Sequence, residues 1–177
     1  MNNDLLPVGV RRDGSYYTRI EWTNKTEADP TFWVCNLIRD DLERNGGTWG
    51  ANTESRADVV LSFFGEIQEI GKIRIFRNVG ITISILEELA KVINIYVSET
   101  DEPRKLRRQE DSIDSVAWTL IKSQLMEKAE GWQEIVLDKP VRAKFVRFEL
   151  VDNFCHDFNI DPFIPWVETS EIKIYPQ

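Results

Sequence analysis

The sequence predicts an all-β protein, an antiparallel jelly-roll β-sandwich with short helical insertions, and three stretches near its end carry most of that reading. In Gly131 to Val141, Ala143 to Leu150 and Ser170 to Tyr175, apolar side chains recur at every second position: Ile135 and Leu137, then Val146, Phe148 and Leu150, then Ile172 and Ile174. Between them stand Glu134, Arg147, Glu149 and Lys173. Side chains of a strand alternate between faces, so each stretch reads as a strand with one buried and one wet face. Antiparallel sheets accommodate that pattern. Composition agrees, because 177 residues at 42% hydrophobic, with six Trp and nine Phe, suffice for one sizeable core and exclude a disordered chain.

The other elements follow in chain order. Residues 1–15 lack periodicity and hold one turn signal, Asp13-Gly14. Tyr16, Thr18, Ile20 and Trp22 then alternate with Tyr17, Arg19 and Glu21, which predicts an opening strand. The expected organisation is one domain over 1–177, with 1–32 a lead-in packed on the sandwich and 33–175 its core. Ala57 to Phe63, Ile70 to Arg77 and Asn94 to Ser98 read as further strands. Ser84 to Leu89 carries a capping-box pattern and predicts one short turn or helix. Asp111 to Lys128 fits helical spacing at Ile113, Val116, Ala117, Leu120 and Ile121, but a strand over Ala117 to Lys122 is the preferred reading, with any helix confined to the charged segment before it. Trp118 and Trp132 fall within strand motifs and are expected to pack in the core.

Charge and motif content narrow the function. The formal net charge of −8 argues against duplex nucleic acid or an anionic membrane as partner. No stretch approaches the roughly 20 apolar residues that cross a bilayer. Leu5 to Val10, with Pro7 and Gly9, is too short for the apolar core of a signal peptide. A soluble chain is expected, either cytoplasmic or a secreted module without its leader. Cys35 and Cys155 read as free thiols, with a single bridge between two loops as the alternative. The basic run Arg104-Lys105-Leu106-Arg107-Arg108, followed by Glu110-Asp111, reads as a solvated loop that compensates its own charge. Catalysis is not expected: His156 is the only histidine, and no Gly-rich phosphate loop, nucleophile elbow or Cys-x-x-Cys occurs.

A binding loop is easier to find. Asn153 to Trp166 mixes Phe154, Phe158, Phe163 and Trp166 with Asn153, His156, Asp157 and Asn159. Sugars present apolar C–H faces ringed by hydroxyls, so a glycan site combines an aromatic platform with a few fixed polar side chains. The alternative is that Phe154, Phe163 and Trp166 anchor a long loop to the core and that His156 is structural.

These segments, taken in order, resemble the discoidin domain, also called the coagulation factor 5/8 type C domain. The series runs through Asn36 to Asp41, Thr48-Trp49, Ala57 to Phe63, Ile70 to Arg77, Asn94 to Ser98, Gly131 to Ile135, Ala143 to Arg147 and Ser170 to Tyr175, roughly residues 33–175, with 99–116 standing as an insertion. The resemblance implies a galactose-binding-like sandwich similar to family 32 carbohydrate-binding modules, a non-catalytic module that takes a glycan or glycoconjugate in loops at one end. Positions that match the family's sugar-binding sites are Asn52, Arg77 and Phe163 or Trp166, and His156 joins them from the same loop. The resemblance also implies a structural calcium ion (Ca2+), for which Asp41, Thr48 and Glu171 match. Arg39 stands at the usual first Asp of that site, and Arg39 paired with Glu171 or Asp41 is the rival occupant of the same space. A second likeness, of Ile38 to Glu43 and Thr48-Trp49 to the Doc1/APC10 subunit of the anaphase-promoting complex, implies the alternative of an adaptor domain with a protein partner.

Overall fold

The computed structural model describes residues 9–25, 30–39, 48–52, 56–77, 86–155 and 166–176. Among these lie ten strands: β1 (Arg19–Thr23), β2 (Trp49–Asn52), β3 (Ala57–Ser62), β4 (Gln68–Arg77), β5 (Ala90–Ser98), β6 (Thr119–Leu125), β7 (Gly131–Ala143), β8 (Phe145–Asn153), β9 (Trp166–Thr169) and β10 (Ile172–Tyr175). They form a five-stranded sheet in the order β1-β3-β8-β5-β6, a three-stranded sheet β10-β4-β7 and a ribbon β2-β9. Every named pairing is antiparallel. One apolar cluster joins the inner faces, with Val59, Leu61, Ile95, Val146, Phe148 and Leu150 from the larger sheet and Ile73, Ile75, Ile135, Ile172 and Ile174 from the smaller. The expected inward residues Ile73, Ile75, Val146, Phe148, Leu150, Ile172 and Ile174 are each at most 1% exposed.

Helical content is confined to 3-10 turns among the described residues, including Leu86–Glu88, Glu102–Lys105 and Ile113–Ser115. The short element expected at Ser84 to Leu89 is thus a single turn in its described part. The ambiguous stretch after Asp111 is a strand, β6, as preferred.

Alternation breaks in β1. Ile20 pairs with Leu61 and Trp22 with Val60, so Glu21 is an extra residue and a β-bulge. A bulge turns the following side chain to the other face. Ile20 therefore packs against the main core, while Trp22 joins Val60, Phe145, Leu106, Ile113 and Val116 in a second cluster on the outer face of the larger sheet. Residues 99–116 supply Leu106, Ile113 and Val116 to that cluster, and Trp22 Nε1 donates to the Arg108 carbonyl at 2.6 Å. The insertion is thereby folded onto the sheet. Its charges are compensated locally: Arg104 pairs with Asp101 at 3.3 Å and Lys105 with Glu102 at 3.2 Å. Asp111 accepts from the backbone N–H groups of Arg107 and Arg108.

The wet-face expectation for Arg147 and Glu149 is corrected on the same outer face, where they are 4% and 8% exposed. Arg147 Nε donates to Asp58 Oδ1 at 2.6 Å, and Arg56 Nε reaches Asp58 Oδ2 at 2.8 Å. Asn94 and Tyr96 donate to Glu149 Oε2 at 2.9 and 2.8 Å, and Arg56 continues to Asp114 at 3.1 Å. Burial pushes the Asp58 carboxyl above its usual range, opposed by Arg147 and Arg56. Trp132 is a second correction. It shares the parity of Glu134, so it stands half-buried on the outer face of the smaller sheet, 5.2 Å from the Phe76 ring, with the Arg74 guanidinium 4.8 Å over it. Trp118 is half-buried against the second cluster. Cys35 is exposed and Cys155 buried, both as free thiols.

The smaller sheet has one wide irregularity. Ile70 pairs with Val141 and Lys72 with Val136, so Leu137 to Pro140 stand opposite Gly71 alone.

Truncating Phe148 to Ala should cost about 3–5 kcal/mol, the range for large buried aromatics, measured by urea unfolding. A loss below about 1 kcal/mol would show that this side chain does not fill the core. For this buried network, Arg147→Met should cost about 3–5 kcal/mol because it takes from the buried Asp58 one of its two arginine partners, and Asp58→Asn in the same chain should recover part of that loss.

Candidate functional site

The site residues are placed by strand parity. In β4, Ile73 and Ile75 point into the sandwich, and Arg77, two positions further, follows them inward at 0% exposure. Its Nη1 donates to the Glu127 carbonyl and its Nη2 to the Ala90 carbonyl at 2.7 Å, and the guanidinium lies 5.6 Å from the Phe154 ring centroid. Burial pulls it down to about 10, so it remains charged at neutral pH. In this arrangement Arg77 does not offer a fork to a ligand. It fastens the start of β5, the β6–β7 turn and Phe154 to one another at one end of the sandwich. Gln133 braces the same turn, donating to the Glu127 carbonyl and accepting from the Glu127 N–H, both at 2.9 Å.

The ribbon supplies the second part. Asn52 and Trp166 are register partners across β2 and β9, although 114 positions separate them in sequence. Trp49, 1% exposed, pairs with Thr169 and anchors the ribbon to the main core. Glu168 bridges to Leu89, the neighbour of the Ala90 that receives the Arg77 bond. The ribbon therefore borders the end that Arg77 closes. His156 and Phe163 lie outside the described residues, as does Asp41. The start of their loop is tied down by the Phe154 N–H, which donates to the Glu87 carbonyl at 2.8 Å.

Of the residues matched to calcium, Glu171 is 0% and Thr48 2% exposed. A calcium ion takes six to eight oxygens. Glu171 Oε1 instead lies 3.6 Å from Arg11 Nη1 and 3.5 Å from Lys173 Nζ, and Thr48 Oγ1 donates to Glu168 Oε2 at 3.4 Å. A divalent cation on Glu171 would have to stand beside two groups that are already positive, so the described side chains do not fit one. Arg39, expected as the rival occupant, is exposed, with Nη1 3.4 Å from Asn36 Oδ1.

Sequence reasoning missed Arg11, because residues 1–15 carry no periodic signal. It also missed a cleft of about 280 Å³ between Leu125, Met126, Glu127, Trp132 and Gln133, beside the turn that Arg77 fastens. The alternation of β7 held the clue to that cleft, since Trp132 and Glu134 share one face.

No family model matches the sequence, and no curated protein matches it. Solved structures do. A fragment of a putative chitobiase from Bacteroides thetaiotaomicron is similar at 12% identity and a TM-score of 0.66, covering 99% of this chain and 96% of that one. The family 32 carbohydrate-binding module of Streptococcus pneumoniae EndoD aligns at 14% identity and a TM-score of 0.64, over 90% and 96% of the two chains. A Clostridium perfringens module, CpGH89CBM32-5, solved in complex with GalNAc-β-1,3-galactose, aligns at 11% identity and a TM-score of 0.63, over 90% and 95%. Likeness at this level of identity defines architecture, and the chain has the discoidin-like β-sandwich fold of the family 32 carbohydrate-binding modules.

Proposed function

We propose that the chain is a non-catalytic glycan-binding module whose ligand sits at the loop end bordered by the β2–β9 ribbon. The observation that carries the reading is the pairing of Asn52 with Trp166, which sets an amide and an indole, the two side-chain types that a sugar's hydroxyls and C–H face require, on adjacent backbone positions. Two modules of the same fold, both from Clostridium perfringens, were solved with GalNAc-β-1,3-galactose and with galactose, which supports a glycan as the ligand class. His156 and Phe163 complete the proposed contacts. Arg77 enters as a positioning residue: its bonds to Ala90 and Glu127 hold the walls of the end in place, so its loss acts on the shape of the site. No step of this reading uses a metal.

A glycan array followed by titration calorimetry tests it. Single-module affinity is expected on the order of 0.1–1 mM, about 4–5.5 kcal/mol, because water competes for every sugar hydroxyl. Asn52→Ala with Trp166→Ala should abolish binding while the chain still unfolds cooperatively on heating. Binding that survives this double change moves the site elsewhere. A blank array together with a stable protein complex would replace the glycan with a protein partner and favour the adaptor alternative.

A further inference from the structure

We propose that Arg11 is a built-in counter-ion for Glu171, an internal cation that makes the folded state independent of calcium. This does not rest on the glycan reading. A carboxylate at 0% exposure is expensive unless it meets positive charge. Glu171 cannot retreat to solvent, because its carbonyl accepts the Phe76 N–H at 2.7 Å and fixes it where the chain enters β10. The lead-in brings the charge to it. Residues Arg11 to Gly14 form a tight turn in which the Gly14 N–H donates to the Arg11 carbonyl at 3.0 Å, and Gly14 takes φ +85°, a value that favours glycine. Asp13 Oδ1 accepts from both the N–H and the hydroxyl of Ser15, which stiffens the turn. Two further contacts dock it on β10: Tyr16 N–H to the Ile174 carbonyl at 2.8 Å and Lys173 Nζ to Asp13 Oδ2 at 2.8 Å.

So held, Arg11 is 9% exposed, with Nη1 3.6 Å from Glu171 Oε1 and Nη2 donating to the Ile38 carbonyl at 2.9 Å. One carboxylate and one backbone carbonyl are the kinds of oxygen a hard cation collects. Here a guanidinium faces them, hydrogen-bonded to the carbonyl and within ion-pair range of the carboxylate. Lys173 Nζ, 3.5 Å from the same carboxylate oxygen, adds a second positive charge. The guanidinium is part of the chain, and its tether removes the concentration dependence of a free ion. A chelator therefore cannot remove this cation.

The test compares melting of the full chain in millimolar calcium chloride and in EGTA. The two curves should coincide to within about 1 °C; a rise of about 3 °C or more in calcium would reveal a bound ion stabilising the native state and overturn the proposal. That comparison needs no variant. Arg11→Met should lower the melting temperature by about 5 °C in both buffers, and Arg11→Met with Glu171→Gln should regain at least half of the loss, because the single change takes from a buried carboxylate one of its two neighbouring cations. A double variant that melts no higher than Arg11→Met would show that the arginine matters only as packing, and would reject the counter-ion role.

Discussion

The two inner sheet faces have to be filled by one another. Phe148, Val146, Leu61 and Ile95 from one side and Ile73, Ile75, Ile172 and Ile174 from the other leave no room for a displaced strand. A slip of one residue in β4 would put Lys72 and Arg74 into the core and Ile73 and Ile75 into water, so the register is fixed by burial itself. Every other placement inherits that constraint. Arg77 is inside because Ile75 is inside, Trp132 is outside because Ile135 is inside, and the loops that follow β4 and β8 begin where the registers end.

That dependence also explains what could be read from the chain. Period-2 patterns revealed β4, β7, β8 and β10, because each has one face in the common core. The inward turn of Arg77 was legible in principle from Ile73-x-Ile75-x-Arg77, but a cation is not an expected continuation of an apolar row. The bulge at Glu21 left no mark, since Thr18, Ile20 and Trp22 alternate on paper and only the partner strand shows the extra residue. The burial of Arg147 and Glu149 was invisible for a different reason: their partners Asp58, Arg56, Asn94 and Tyr96 come from segments that only the folded sheet brings together. The insertion sets Leu106, Ile113 and Val116 on the sheet, although its charges suggested solvent and Ile113 and Val116 read as helical spacing. Of the candidate ligand residues, the meeting of Asn52 with Trp166 depends on a ribbon that brings distant segments together, beyond the reach of local pattern.

Buried charge is handled in three ways in this molecule, and the differences follow from what surrounds each group. Asp58 sits on a sheet face with two arginines nearby, so it is paired directly. Glu171 sits at the entry to β10 and is met by Arg11 and Lys173. Arg77 lies at the end of the sandwich, where strand ends leave carbonyls available, and it uses two of them with an aromatic face. Each arrangement ties segments remote in sequence. A rigid support of this kind lets the loops above it vary without loss of the fold.

The interruption in β7 has a consequence for how copies of this molecule meet in concentrated solution. β7 is the outer strand of its sheet, and a straight outer strand offers a ladder of unsatisfied amides to any neighbour. Here the segment Leu137 to Pro140 departs from the register, carries the exposed charges of Asp138 and Lys139, and ends on a residue with no N–H to donate. A second chain approaching side-on finds a short, kinked and charged rail in place of a continuous one. The same four residues that look like a fault in pairing thus interrupt the edge.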